Sequence, residues 1–438
     1  MTKCAMWSVL IIVAWTAFCV QGTITGCSGT INANPFAVGA PRFINKVQNG
    51  SRWIVGEGND TINVVHVYGS PYDQGVAYGM LFKNELPDMV SLFYDWVNAQ
   101  IDAECMKKVP SLEWFCKLIE QGHDVDILLD LTINATEPFT PTWFTDELRG
   151  IAFGSGVDFQ TLYRLNMFPE LIRAACTMSG SWGSAVPGAV GIHQLRALDE
   201  GTDGPMAKYP LVTVYHPDDT SVPGAHAYAN IGWVGLTGVL SGYSSARMAI
   251  SEKVMDGYNG SFALAGIPWM VNLKSIMMFD NTVADSIARL QSSERTCAIF
   301  VGVGGQQVDA TLTNQFRGIE YSHDFLRVFD DTNYTLNSDA HPHLDGVMYW
   351  DKHVQPSNDM CLGSILSTYH GNLTAETYAT VVAPLAQTGD LHIATYDMAN
   401  SIVYTSNAAY GAESGPVDAW NRQFVRLDMS ALFNQNNE

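Results

Sequence analysis

A chain of 438 residues with 47% hydrophobic side chains can fill a large core, which excludes a disordered protein. Its formal net charge of −21 sets most of the surface against a phosphate backbone and excludes nucleic acid as a partner. The same charge describes either a solvated acidic surface or one suited to an acidic lumen.

In chain order, residues 1–22 read as a secretory signal. Lys3 supplies a positive start, Trp7 to Val20 is uncharged and apolar, and Val20 and Gly22 are small enough for a cleavage site. No later run approaches the ~20 apolar residues that span a bilayer, so a soluble product of the secretory route is expected, lysosomal or extracellular. N-x-S/T sequons begin at Asn49, Asn59, Asn134, Asn259, Asn333 and Asn372, which suits a glycosylated chain and puts those positions on the surface.

Ile62 to Val67 reads as a strand, and Gly69-Ser70-Pro71 as a turn into a helix that begins near Tyr72. Met89, Leu92, Phe93, Trp96 and Val97 recur at helical spacing; that face is ordinarily core, though an enzyme for acyl chains also needs apolar helices near its entrance and a transient contact with membrane surfaces. A further helix runs from Thr145 to the Gly154-Ser155-Gly156 stop. From Cys176 the texture changes to strands: a hairpin from Cys176 to Leu195, then Leu211 to Tyr215, Ala227 to Ile231 and Arg247 to Ser251. A helix pair over Pro268 to Leu290 precedes strands at Thr296 to Val303, Gln307 to Leu312, His392 to Asp397 and Ile402 to Ser406. Helices, then strands, then helices suit two sheets stacked between helical layers, an α+β fold.

Cys4 and Cys19 leave with the signal, and spacing alone does not choose partners for the remaining six cysteines. Cys105 and Cys116 flank a short segment and form a plausible local bridge. In an oxidising lumen a cysteine kept unbridged is usually kept for its reactivity. Cys176 opens the hairpin whose returning strand carries Arg196-Ala197-Leu198-Asp199. A guanidinium near the sulfur favours thiolate and a carboxylate can hold an ammonium, which are the needs of a nucleophile whose own amine is its base. Arg196 and Asp199 point to opposite faces of an ideal strand, so a turn or bulge near Leu198 is expected if both are to reach the sulfur. His193 faces away from Arg196 by the same alternation. His341, His343, Asp345, Asp351 and His353 offer metal-type ligands, but Pro342 and the uneven spacing favour a loop lining a cleft, and neither metal nor cofactor is expected.

The run Asp146-Glu147-Leu148-Arg149-Gly150-Ile151-Ala152, then Asn166-Met167-Phe168-Pro169-Glu170-Leu171, then Ala175-Cys176-Thr177, then Arg196 to Asp199, resembles acid ceramidase and N-acylethanolamine acid amidase. It is similar to the wider penicillin acyltransferase group of N-terminal nucleophile (Ntn) hydrolases, and Gly232 to Gly238, Ile250 to Lys253 and Gly266 to Trp269 continue the likeness in order.

The resemblance implies an αββα four-layer sandwich with an N-terminal helical pro-fragment. It implies self-cleavage between Ala175 and Cys176 into a smaller fragment, 23–175, and a larger one, 176–438, that stay associated. Cys176 is then nucleophile and amine base, Asp199 orients the amine, Arg196 balances charge at the substrate carbonyl, and Glu252 matches a site glutamate. The family's Thr-Asn oxyanion pair falls near Ser338 to His341 without an aligned asparagine, leaving His341, a backbone amide or a shifted Asn337 as donor. A Cys27–Cys361 disulfide tying the fragments together is likewise implied. The expected substrate is a lipid amide of the ceramide or N-acylethanolamine type. The alternatives are a lipid esterase or acyltransferase of the same fold, like the phospholipase B-like proteins, and a secreted glycoprotein without turnover.

Overall fold

The computed structural model describes residues 24–106, 125–171, 175–306, 315–411 and 415–437. The signal segment and the strand expected over Gln307 to Leu312 lie outside them, as does the Cys105–Cys116 bridge, since side chains of residues 101–106 are not described either.

In chain order the strands are Arg42–Val47 (β1), Gly50–Val55 (β2), Ile62–Gly69 (β3), Ala175–Trp182 (β4), Ile192–Asp199 (β5), Pro210–Pro217 (β6), Tyr228–Trp233 (β7) and Gly242–Ser244 (β8). They continue with Met248–Val254 (β9), Ala298–Gly305 (β10), Gln315–Ser322 (β11), Leu326–Phe329 (β12), Val347–Trp350 (β13), His392–Asp397 (β14), Ile402–Asn407 (β15) and Val425–Asp428 (β16). Two sheets result: a ten-stranded one in the order β1-β2-β3-β6-β7-β8-β9-β10-β11-β12, and a six-stranded one in the order β13-β4-β5-β14-β15-β16. The β3–β6 pair is parallel; the other ladders of these strands are antiparallel.

The sheets meet through the inward-facing alternate residues of each strand. Met178, Ile192, Ala394 and Tyr396 of the small sheet join Val212, Val214, Phe300 and Phe316 of the large one in a single buried cluster. On the far side of the small sheet, Leu195, Ala197 and Ile393 pack against the Cys361–Thr368 helix and the helical turns over 375–386. On the far side of the large sheet, Val65, Val67 and Ile250 pack against the helices Pro71–Leu81, Thr142–Ser155 and Trp269–Phe279.

The turn at Gly69-Ser70-Pro71 starts its helix as expected: the Ser70 hydroxyl accepts a hydrogen bond from the Asp73 N–H at 3.2 Å, with proline in the first turn. This helix crosses Thr142–Ser155 at van der Waals distance between backbones, because each presents two glycines four residues apart. A Cβ added at Gly75 would stand 2.1 Å from the Glu147 carbonyl oxygen, and one at Gly150 would stand 2.1 Å from that of Tyr72. The obstacles are backbone atoms, so the helices themselves would have to separate. Gly150→Ala is therefore expected to lower stability by about 2 kcal/mol or more despite its better helix propensity, read as a fall in urea midpoint at unchanged slope.

The two sides of position 176 are tied together at several points. Asn166, fully buried, donates from Nδ2 to the Gly235 carbonyl at 2.9 Å and accepts from the Thr237 N–H at 2.8 Å, gripping the glycine-rich turn. Glu170 accepts from the Trp269 N–H at 2.7 Å. Cys27 and Cys361 form a disulfide, with Cα atoms 4.8 Å apart.

Candidate active site at Cys176

Strands β4 and β5 pair residue for residue from Ala175↔Asp199 and Cys176↔Leu198 to Trp182↔Ile192. The turn or bulge expected near Leu198 is absent. Two-residue alternation therefore holds through the site: Arg196 shares the inter-sheet face with Cys176, while Asp199 shares the opposite face with Thr177. Asp199 stands opposite Ala175 in the ladder, beside the Ala175–Cys176 bond.

Cys176 is completely buried, whereas Ala175 just before it is exposed. Burial pushes the thiol up to about 12, outweighing the pull of the Arg196 guanidinium. Arg196 crosses between the sheets, its Nη2 3.4 Å from Glu252 Oε2, and both side chains are buried. Arg196 Nε and Nη1 and Glu252 Oε1 have no hydrogen-bond partner among the described residues. Buried guanidinium and carboxyl atoms left without protein partners mark a place where a polar ligand group or water is needed. Burial also pushes the Glu252 carboxyl up to about 7, with Arg196 and Lys253 opposing.

On the other face, Asp199 accepts from the Thr388 hydroxyl at 2.6 Å and the Gly389 N–H at 3.0 Å, and the Lys352 ammonium stands 3.5 Å away. Burial nonetheless pushes its carboxyl up to about 6. The Thr388 hydroxyl also meets that of Thr177 at 2.7 Å. Lys253, fully buried, donates to the Lys352 carbonyl at 3.3 Å, and burial lowers its pKa.

Lys352 and Thr388 escape a reading of the sequence because they arrive from just past the end of β13 and from the loop before β14. Only the pairing of β13 with β4, Trp350 opposite Met178, brings Lys352 alongside. The nearest legible signal was Glu252-Lys253 itself.

A small apolar pocket lies beside Leu198, the cross-strand partner of Cys176, and its lining also includes Glu252, Phe93, Phe168, Trp233 and Trp269. Phe93 and Phe168 precede Cys176 in the chain and the others follow it, so both sides of the bond build one cavity.

The two residues expected as oxyanion donors are placed elsewhere. Asn337 is exposed and its Nδ2 donates to the Tyr334 carbonyl at 2.8 Å. His341 is buried, stacked on Tyr349 with ring centroids 3.9 Å apart, and its Nε2 lies 2.9 Å from the Tyr349 carbonyl oxygen. Neither hydrogen-bonds to Cys176, Arg196, Asp199 or Glu252 among the described residues, because the 337–341 segment folds onto itself and Tyr349. His193 faces away from Arg196, its Nδ1 accepting from the Ala375 N–H at 3.2 Å.

Of the metal-type residues, Asp351, His353 and Asp359 bring ligand atoms within 4.8 Å of one another, whereas His341, His343 and Asp345 do not join them. Asn59, Asn134, Asn259, Asn333 and Asn372 are exposed and Asn49 is half-buried. No described helix is long and apolar enough to cross a membrane.

No family model matches the chain. It is 37% identical to Protein dcd1A of Dictyostelium discoideum over 444 aligned positions, covering 97% of this chain and 98% of that protein. It belongs to the dcd1A family. Protein dcd1B of the same organism is a second relative, 34% identical, with 90% of this chain and 79% of that protein covered. Among solved structures, a Caenorhabditis elegans ortholog of N-acylethanolamine-hydrolyzing acid amidase is similar at a TM-score of 0.37 and 14% identity, over 51% of this chain and 93% of that one. The near end-to-end agreement with dcd1A means the disulfide, the hairpin and the cavity walls all fall within the shared span.

Proposed function

We propose that this dcd1A-family chain is a secretory-route amide hydrolase that cleaves itself between Ala175 and Cys176 and then uses Cys176 to release fatty acid from a lipid amide of the ceramide or N-acylethanolamine type. The observation that carries the reading is one juxtaposition: a buried thiol at the start of a strand, a guanidinium with two uncommitted N–H groups on the same face, and an apolar pocket lined by the strand partner of the one, Leu198, and the ion-pair partner of the other, Glu252. In this reading the two sheets and their outer helices are the αββα sandwich of the N-terminal nucleophile hydrolases, with 1–22 removed as signal and 23–175 and 176–438 as the associated fragments.

The chemistry closes without a cofactor. The Cys176 sulfur attacks the Ala175 carbonyl carbon, the C–N bond breaks as the nitrogen takes a proton, and water hydrolyses the thioester to leave a free α-amine on Cys176. That amine, with an ordinary pKa near ~8, then accepts the thiol proton during attack on the substrate amide and returns it to the leaving amine. Asp199 holds the ammonium form. Arg196 directs its N–H groups to the carbonyl oxygen where negative charge develops. A second water releases the fatty acid.

Identification of the new amino terminus by mass spectrometry, together with products from matched amide and ester lipids, tests this reading. Cysteine at the terminus and fatty acid from the amide are expected. An active chain still in one piece would overturn it, and turnover of the ester alone would replace it with the esterase or acyltransferase alternative.

The pH dependence follows from the α-amine and Asp199. Its carboxyl titrates at about 6 in the intact chain, and an adjacent ammonium lowers it further, so the ionised form needed to hold that ammonium is lost only on the acid side. Mature activity should fall about tenfold per pH unit below the amine's pKa near ~8, as the free base is lost, and should gain a second, steeper limb at or under pH 6 where Asp199 takes its proton. Asp199→Asn should abolish that limb along with most of the rate, measured as kcat/KM across pH 4 to 8.

A further inference from the structure

Cys176 begins a row of side chains that crosses the small sheet. Cys176 pairs with Leu198, Leu198 with His392, and His392 with Asn407, so the adjoining strands β4, β5, β14 and β15 set all of them on one face. Arg196 stands on the same face of β5, with Met178 opposite it on one side and Ala394 on the other. It is therefore the diagonal neighbour of both Cys176 and His392, a separation that a side chain as long as arginine bridges. Cys176 has a part in the chemistry proposed above; His392 has none there.

His392 is completely buried. Its Nδ1 lies 2.8 Å from Asn407 Oδ1, and a carbonyl oxygen only accepts, so Nδ1 carries the ring proton and Nε2 keeps a bare lone pair. Burial, with the Arg196 guanidinium acting in the same direction, lowers the ring to about 3, so the lone pair persists at neutral and mildly acid pH.

Nε2 of His392 has no hydrogen-bond partner among the described residues, and neither have Nε and Nη1 of Arg196. A buried acceptor and two buried donors, all unmet, thus belong to diagonal neighbours on one face. Leaving such groups unmet is costly, and one water that accepts from the guanidinium and donates to Nε2 satisfies both.

We propose that His392 is a positioning residue for Arg196: its Nε2, kept bare by Asn407, takes one uncommitted Arg196 N–H through a bound water and leaves the other directed at the substrate carbonyl. The proposal rests on the amidase reading and adds what aims the guanidinium. Glu252 alone, at 3.4 Å, is a loose hold on Arg196; a second hold from the His392 side fixes which N–H meets the developing oxyanion.

Kinetics of the matured protein on the amide of a saturated fatty acid with 2-aminoethanol test it. His392→Leu fills the space without a lone pair and should lower kcat by about 10- to 100-fold with little change in KM, because the hold serves the transition state and not substrate binding. His392→Gln offers a carbonyl oxygen as acceptor and should restore most of the rate, whereas a packing role would favour leucine. In parallel, nitrogen NMR of the full chain carrying isotope-labelled histidine reads the ring itself, the His392 signal being identified by its loss in His392→Gln. Nε2 should resonate as a bare nitrogen that accepts a hydrogen bond, and Arg196→Met should move it toward the position of an unbonded one.

An unchanged kcat in His392→Leu, or equal losses in the leucine and glutamine variants, overturns the positioning role and leaves the amidase reading standing. A His392 signal that responds to Arg196→Met, in a protein that hydrolyses no amide, overturns the amidase reading and leaves the contact. A proton on Nε2, or a signal that Arg196→Met does not move, overturns the contact whatever the kinetics, and this signal decides alone if His392→Leu fails to fold.

Discussion

Cys176→Ala protein should remain a single chain under reducing electrophoresis, where the wild type separates into fragments ending and starting at the 175–176 bond, and its amidase rate should fall by at least ~10⁴-fold. The size of the effect follows from one residue supplying two groups. In the intact chain the thiol is pushed up to about 12, so at neutral pH the thiolate is a minute fraction and the sulfur attacks only as its proton is taken. Without the sulfur there is no cleavage, and without cleavage there is no α-amine to act as base. Cys176→Ser keeps a hydroxyl in the same buried slot and should cleave slowly or not at all, measured by the fraction of cut chain over days. A variant without sulfur that still produced both fragments and full turnover would remove Cys176 from the mechanism.

Lys274→Met should cost about 3 to 5 kcal/mol of stability, the largest loss expected from any single substitution outside the site. Lys274 and Glu147 form an ion pair between fully buried side chains of the Trp269–Phe279 and Thr142–Ser155 helices. Tyr215 also donates to Glu147 Oε1 at 2.8 Å, and the Lys274 ammonium lies 4.4 Å from the centroid of its ring. Burial lowers the Lys274 pKa while Glu147 opposes the change. Removing Lys274 leaves a carboxylate in an apolar layer with a single neutral donor. Replacing both residues by methionine removes both desolvation penalties and should recover most of the loss, leaving a deficit near that of the orphaned Tyr215 hydroxyl, about 1 kcal/mol. Urea midpoints of the two single variants and the double variant measure the coupling directly. Additive costs across the three would show that the pair does not act as one.

The same pair marks how far local reading reaches. Glu147 belongs to a run that was legible as a helix with a family likeness, but nothing in that run points to Lys274, 127 positions along the chain. The Gly75 and Gly150 crossing is a similar case: each glycine reads as a weak spot in its own helix, and only the contact explains both.

Strands and helices were readable where periodicity was strong. The start at Ser70-Pro71, the hairpin after Cys176 and the helix pair ending near Leu290 all stand close to their expected bounds. The edge strand β1, its neighbour β2 and the short β13 were not, because an exposed pattern such as that of Arg42–Val47 carries no alternation to detect.

By itself the sequence determined the chemistry on offer: a cysteine opening a hairpin, an arginine and an aspartate three residues apart on its return, and colinear segments of one resembling family. Alternation puts Arg196 and Asp199 on opposite faces of an ideal strand, but that β5 runs straight, without the turn or bulge expected near Leu198, is seen only in the folded chain. Only the tertiary structure decided what each face meets. Glu252 reaches Arg196 because β9 stacks across the sheets, and Lys352 reaches Asp199 because β13 pairs with β4. Asn337 bonds the Tyr334 carbonyl and His341 stacks on Tyr349, contacts made within and beside their own segment. Such contacts depend on which layer packs against which, a sum of burial over the whole core that no short stretch of residues contains.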